Sequence, residues 1–237
     1  AQGEFPAWAP QLLLDLRLPR IVLAVVAGAA LSTAGASFQG VFRNPLAEPY
    51  LLGVSAGAGL GATIAIVWRP LGSGIYAVPL LAFIGGALAA FLVYRLATFS
   101  GQTSTAALLL SGVAVGSTLT ALMSFLMVAT ERDLHTVVVW LMGGVTTASW
   151  LKIYITLPVV AVGFTYMMLM SQRMNLLLMG EERARQLGVD SQRTRRNLMI
   201  AASLTTAAAV AFTGLIGFVG LMVPHITRML VGTEIGA

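Results

Sequence analysis

The chain has 237 residues, 57% of them hydrophobic and only 10% charged, with a formal net charge of +5. Soluble domains carry roughly a quarter charged residues. This composition, with a mean hydropathy of +0.87, therefore excludes a soluble core under a solvated skin and marks an integral membrane protein. Apolar segments of helical length exclude a membrane barrel, whose strands alternate over about ten residues. The absence of cysteine removes disulfides, thiolate metal sites and thiol catalysis together.

The opening residues, AQGEFPAWAP, carry no signal peptide and read like the middle of a longer protein. Phe5–Leu16, with Trp8 and two prolines, suits a segment at the membrane interface. Arg17-Leu18-Pro19-Arg20 precedes a first span reaching about Gly40, in which Gly28, Ser32, Ala36 and Gly40 form a small-residue ridge at spacing four. A polar break at Arg43, Asn44, Pro45, Glu48 and Pro49 predicts a tight hairpin at a membrane face. A second span then runs from Tyr50 to Trp68, with Gly53, Gly57 and Gly61 on one face. Glycine at every fourth position lets a neighbouring backbone approach closely.

Arg69–Gly74 is a turn by its Gly and Pro content. A third span covers Ile75–Ala97, Phe99–Ser104 is a polar loop, and Thr105–Val128 is a fourth span with Gly112, Gly116, Thr120 and Ser124 on one face. The charged Thr130–His135 leads to Val137–Val145, too short to span and read as re-entrant or interfacial. Trp150–Met170 spans again. Gln172–Asn197 is the one long hydrophilic stretch, and Leu198–Phe212 and Ile216–Val231 complete seven spans.

An odd number of spans puts the two ends on opposite sides of the membrane. Placing Gln172–Asn197 in the cytoplasm puts nine of the 14 basic residues inside and satisfies the positive-inside rule. Arg17, Arg20, Arg69, Arg132 and Lys152 then lie outside.

Gly53-Val54-Ser55-Ala56-Gly57 matches the G-x-S-x-G nucleophile elbow. That elbow needs a preceding strand and a nearby histidine and carboxylate. A helical setting makes Ser55 a packing residue, with an intramembrane serine hydrolase as the alternative. His135 and His225 have no carboxylate cluster beside them in sequence, so no metal site is expected. No G-x-x-x-x-G-K-[ST] is present, so the chain has no P-loop for ATP. No span has a central carboxylate either, which argues against a self-powered carrier. Energy for transport would then come from another subunit. Glu181–Gly188 reads as a short surface helix whose apolar flanks, Leu176–Met179 and Leu187–Val189, suit docking on a partner.

Four stretches carry a wider likeness: RLPR at 17–20, FRNPLAEPYLLGVSAGAG at 42–59, EERARQLGV at 181–189 and GFVGLMVPHITRM at 217–229. In this order and spacing they resemble the membrane-spanning permease subunit of type II ABC importers for iron–siderophore complexes, haem and vitamin B12. The resemblance implies an all-α helical bundle with about seven of the family's usual ten spans present. The chain is then a single permease domain over 1–237, a fragment lacking the first and the last two spans, with a cytoplasmic coupling loop at 172–197.

The likeness further implies roles at matching positions. Arg17 and Arg20 would meet acidic residues of a periplasmic or lipid-anchored substrate-binding protein. Asn44 and Leu46, with Ser104 and Thr105, would form a cytoplasmic gate, and the Leu108–Leu122 face would line a pathway between two copies of the chain. Glu181, Arg183, Ala184, Arg185, Leu187 and Gly188 would sit in a cleft of the ATP-binding subunit, which binds ATP and Mg. This chain would itself bind no cofactor, metal or nucleic acid. The expected function is a catalytically silent permease in the bacterial inner membrane, working as a homodimer with two ATPase subunits. General likeness leans to iron complexes or haem. The alternative within the class is a permease for bare metal ions, which would want metal ligands facing the pathway.

Overall fold

The computed structural model describes residues 11–70, 76–99, 104–130 and 133–231, apart from the side chain of Glu181. Among them there is no strand. The helices are α1 (Leu18–Phe42), α2 (Val54–Trp68), α3 (Ala77–Ala97), α4 (Thr105–Ala129), α5 (Leu134–Leu141), α6 (Trp150–Leu169), α7 (Ser171–Leu178), α8 (Glu181–Gln186), α9 (Ser191–Thr213) and α10 (Val219–Val231). The expected spans correspond to α1, α2, α3, α4, α6, α9 and α10. Four stretches, Leu12–Phe42, Ala77–Ala97, Thr105–Ala129 and Trp150–Leu169, are long and apolar enough to cross a membrane unaided. The turn expected at Arg69–Gly74 and the loop at Phe99–Ser104 fall largely outside the described residues, as do residues 131 and 132 of the charged stretch Thr130–His135.

The sequence expectation needs correction at four element boundaries. Arg17–Arg20 does not break the chain, because a π-helical turn over Leu12–Arg17 runs straight into α1, which carries Pro19 near its start. Tyr50 does not begin α2; Pro49–Leu52 is a 3-10 turn, and Gly53, at φ 71°, starts the helix at Val54. α9 begins at Ser191 rather than Leu198, because the Asp190 carboxylate accepts from Arg193 N at 3.0 Å and caps it. The stretch 172–197 is therefore mostly helix. α10 starts at Val219 after a loop in which Gly214 is buried and Gly217 and Phe218 are exposed.

α9 packs on α1, α3 and α6 through buried residues that include Leu198, Ala202, Ala207 and Val210. α1 buries Leu23, Ala27, Ala30, Leu31, Ala34 and Phe38. Of the expected ridge, Gly28, Ser32 and Ala36 are only partly buried while Gly40 is buried, and a side chain at Gly28 would meet nothing within 4 Å. The close approach on α1 is at Gly35, where a Cβ would run into the carbonyl of Gly220. Pro224 has no N–H to offer that carbonyl one turn earlier, so the carbonyl is free to lie against the glycine.

α2 and α3 form the tightest pair. A Cβ at Gly57 would collide with the carbonyl of Gly85, one at Gly85 with that of Gly57, and one at Gly61 with that of Leu81. With 15 residues, α2 rises about 22 Å at ~1.5 Å per residue, short of the roughly 30 Å hydrocarbon thickness. The hairpin supplies the remaining depth. Gly112, about two turns inside α4, faces the carbonyl of Leu51, so the hairpin dips inward and does not stop at the membrane face.

Candidate functional site

The hairpin between α1 and α2 is non-helical backbone that penetrates the bundle, and such backbone survives at membrane depth only where protein satisfies it. Here it is satisfied locally. Ala47 N donates to Asn44 O at 3.0 Å, Leu51 N to Glu48 O at 3.2 Å and Gly53 N to Tyr50 O at 2.9 Å. Asn44 Oδ1 accepts from Leu46 N at 2.9 Å, an Asx turn that sets the bend.

Three side chains fix this hairpin and the end of α1 through long-range bonds, and sequence reasoning missed all of them. Tyr50 OH donates to Ile216 O at 2.9 Å and accepts from Ile216 N at 3.2 Å, clamping the α9–α10 loop. Gln39 Nε2, on a side chain 3% exposed, donates to Leu221 O at 3.1 Å. Arg43, which ends α1 at φ 48°, donates from its guanidinium to the carbonyl of Leu177 at the end of α7. The signals available beforehand were faint: a tyrosine after a proline, a glutamine in an apolar span, and Gly220 four residues before Pro224.

Asn44 and Leu46 are exposed, Leu46 at 69%. Ser104 caps α4, its Oγ accepting from Ala107 N at 3.0 Å, and Thr105 follows on the surface. Ser104 and Thr105 line a cavity of about 170 Å³ with Phe42, at the end of α1, and Arg195, near the start of α9. The two pairs of gate residues thus lie toward the same end of the bundle. On α4, Leu108 and Val115 turn into the core while Leu110, Val113 and Leu122 are exposed. Among the glycines of α4, Gly112 abuts the hairpin. Gly116 has open space where its side chain would be and brings only its backbone within 3.8 Å of a Cβ built at Gly53.

At the same end, α8 follows Gly180 at φ 120° and closes with Gly188 at φ 79°. Val189 N donates to Ala184 O and Gly188 N to Arg185 O, both at 2.9 Å, the paired bonds of a Schellman ending. Ala184 is fully buried and anchors the helix, while Arg183, Arg185, Leu187 and Gly188 are exposed around it. Glu181 contributes backbone to α8, and its side chain lies outside the described set. A polar cleft beside α8 is lined by Arg185, Gly188, Asp190, Arg193 and Arg196.

The opposite end holds Arg17 and Arg20, exposed three residues apart. Nearby, Trp150 Nε1 donates to Leu14 O at 3.0 Å. Also distant from α8, Arg69 pairs with Asp133 at 3.4 Å and Lys152 Nζ donates to Thr147 O at 2.7 Å. Ser55 sits in the first turn of α2, after a 3-10 turn and not a strand. Neither His135 nor His225 belongs to a group of three potential metal ligands among the described residues.

Comparison with known proteins agrees with this architecture. The chain is 48% identical to a cobalamin import permease of Halobacterium salinarum, over 98% of this chain and 63% of that protein. It is 37% identical to a ferric-citrate import permease of Bacillus subtilis, over 94% of this chain and 66% of that one. It therefore spans a little under two thirds of the length of these relatives. A solved structure described as an inward-facing metal-chelate type ABC transporter superposes with a TM-score of 0.89 at 33% identity, covering 99% of this chain and 74% of the other. The fold is that of a type II ABC importer permease. Residues 2–237 match the FecCD transport family, and to that family the chain belongs.

Proposed function

We propose that this chain is the membrane-spanning part of an ATP-driven importer for a metal chelate in the bacterial inner membrane. Family membership over residues 2–237 carries the proposal. The exposed apolar face of α4 suits contact with a second copy across a pathway lined by unreactive side chains. Such a lining admits a bulky, rigid cargo without holding it, as conduction demands. Asn44, Leu46, Ser104 and Thr105 form the cytoplasmic gate, and Arg17 and Arg20 receive a substrate-binding protein. The chain has no ATPase site of its own. Arg183, Arg185, Leu187 and Gly188, held up by Ala184, enter a cleft of each of two ATPase subunits that bind ATP and Mg.

The greater similarity to a permease named for cobalamin than to one named for ferric citrate favours a corrinoid, against the lean from general sequence likeness. A permease for bare metal ions would need clustered imidazoles and carboxylates, and no group of three occurs among the described residues.

The test exploits the absence of cysteine. Cysteine replaces Arg185 in a full-length version, and membranes of known sidedness are treated with a short thiol crosslinker. A crosslink to a P-loop ATPase, formed only when the cytoplasmic face is accessible, is the expected result. Labelling from the outer face, or good labelling without an ATPase partner, would overturn the reading.

A further inference from the structure

Between α3 and α9 the surface opens into a groove of about 420 Å³. Its walls are apolar, built from Leu52, Ala90, Phe91, Met199, Ile200 and Leu204. Phe91 is 61% exposed and Ile200 48% exposed, so the groove lies open to whatever surrounds the bundle. Its deep polar atom is Ser203 Oγ, on a side chain 3% exposed and without a hydrogen-bond partner.

Charge is confined to one end. Arg95 and Arg196 line the groove where α3 ends and α9 begins, the end that also bears α8 and Ser104. Arg95 lies over the Phe91 ring at 5.9 Å, so its guanidinium is held at the groove mouth. The Arg196 guanidinium contacts Asn197 Oδ1 at 3.4 Å. Neither arginine makes an ion pair among the described residues. An apolar trough with two cations unpaired by carboxylates at its cytoplasmic mouth matches one kind of molecule: a long apolar chain ending in an anion.

We propose that this groove binds an anionic phospholipid of the cytoplasmic leaflet. The phosphate is held by Arg95 and Arg196, and an acyl chain lies along Phe91, Ile200 and Leu204. Basic recesses between spanning helices on the cytoplasmic side recognise lipid headgroups in this way. The tail adds apolar burial that a free phosphate ion lacks. The inference depends on the membrane placement of the fold and not on the cargo or on the ATPase.

The experiment uses the full-length protein in vesicles containing phosphatidylglycerol with a photoreactive group on its acyl tail, alongside vesicles with the matched phosphatidylcholine analogue. Labelled peptides are mapped by mass spectrometry. The expected result is preferential phosphatidylglycerol labelling of the peptides bearing Phe91 and Ile200, unaffected by excess inorganic phosphate. Arg95→Gln and Arg196→Gln should each lower that preference about five-fold, while labelling by phosphatidylcholine stays constant. The comparison of the two lipids on the unaltered protein needs no variant to fold. Unlabelled α3 and α9 peptides would mean that protein covers the groove. Equal labelling by both lipids would reduce it to bulk lipid contact, and competition by phosphate would make it a free-anion site. Each of these outcomes overturns the proposal.

Discussion

α2 and α4 are written in nearly the same alphabet and packed in opposite ways. Both carry glycines at spacing four in an apolar helix. Yet α2 is buried at Gly57, Ala58, Gly61 and Ala62, whereas α4 buries only Leu108, Gly112 and Val115 of its 25 residues. The difference lies in the partner. Gly57 meets Gly85, so each glycine removes the obstacle the other would meet, and two backbones come into contact. Gly116 has no such mate among the described residues. A small-residue ridge therefore permits close packing, but a second ridge at matching register is what realises it, because dispersion contacts need atoms on both sides.

Three substitutions can break or sharpen this contrast. Gly61→Leu drives a side chain into the Leu81 carbonyl on a neighbouring helix backbone and should cost about 3 kcal/mol, read as a lowered unfolding midpoint in detergent. A shift near zero would mean that α2 and α3 are not in backbone contact. Tyr50→Phe removes the clamp on Ile216 and leaves a partly buried carbonyl and amide without that partner, an expected loss of about 1–2 kcal/mol. An unchanged midpoint would mean the α9–α10 loop is held by other contacts. Gly116→Ala should be neutral or stabilise by up to about 1 kcal/mol through helix propensity. A loss comparable to that of Gly61→Leu would reveal a partner for α4 and erase the contrast.

Much of the bundle was legible in the sequence because hydrocarbon is an unforgiving solvent. Arg43, Asn44, Pro45 and Pro49 cannot continue a lipid-facing helix, so the hairpin announced itself. Its depth did not, since that depends on Gly112 meeting the Leu51 carbonyl sixty residues away in the chain. The start of α9 was misread because Arg193, Arg195 and Arg196 mark solvent and not the end of a helix; the Asp190 cap was the better sign. On α1 the small residues lie all round, so no ridge could be preferred, and Gly35 was selected by Pro224 on another helix. At the candidate site, α8 was visible as a charged segment between apolar flanks. The bonds from Tyr50, Gln39 and Arg43 were not, because each ends on a main-chain atom, and a backbone acceptor leaves no trace in side-chain identity.

The Arg43 bond to the Leu177 carbonyl has a consequence for mutational tolerance. Its acceptor is a main-chain atom, present whatever residue occupies 177, so the bond itself asks nothing of that side chain, although Leu177, 1% exposed, is fixed by its packing. The donor side is strict. Position 43 must take a left-handed backbone, which costs a residue with a Cβ about 1 kcal/mol, and must also reach α7. Glycine or asparagine would suit the backbone and fall short of the carbonyl. The connection between the hairpin and the segment leading to α8 thus depends on packing at one end and on the identity of one side chain at the other, where a single codon change breaks it.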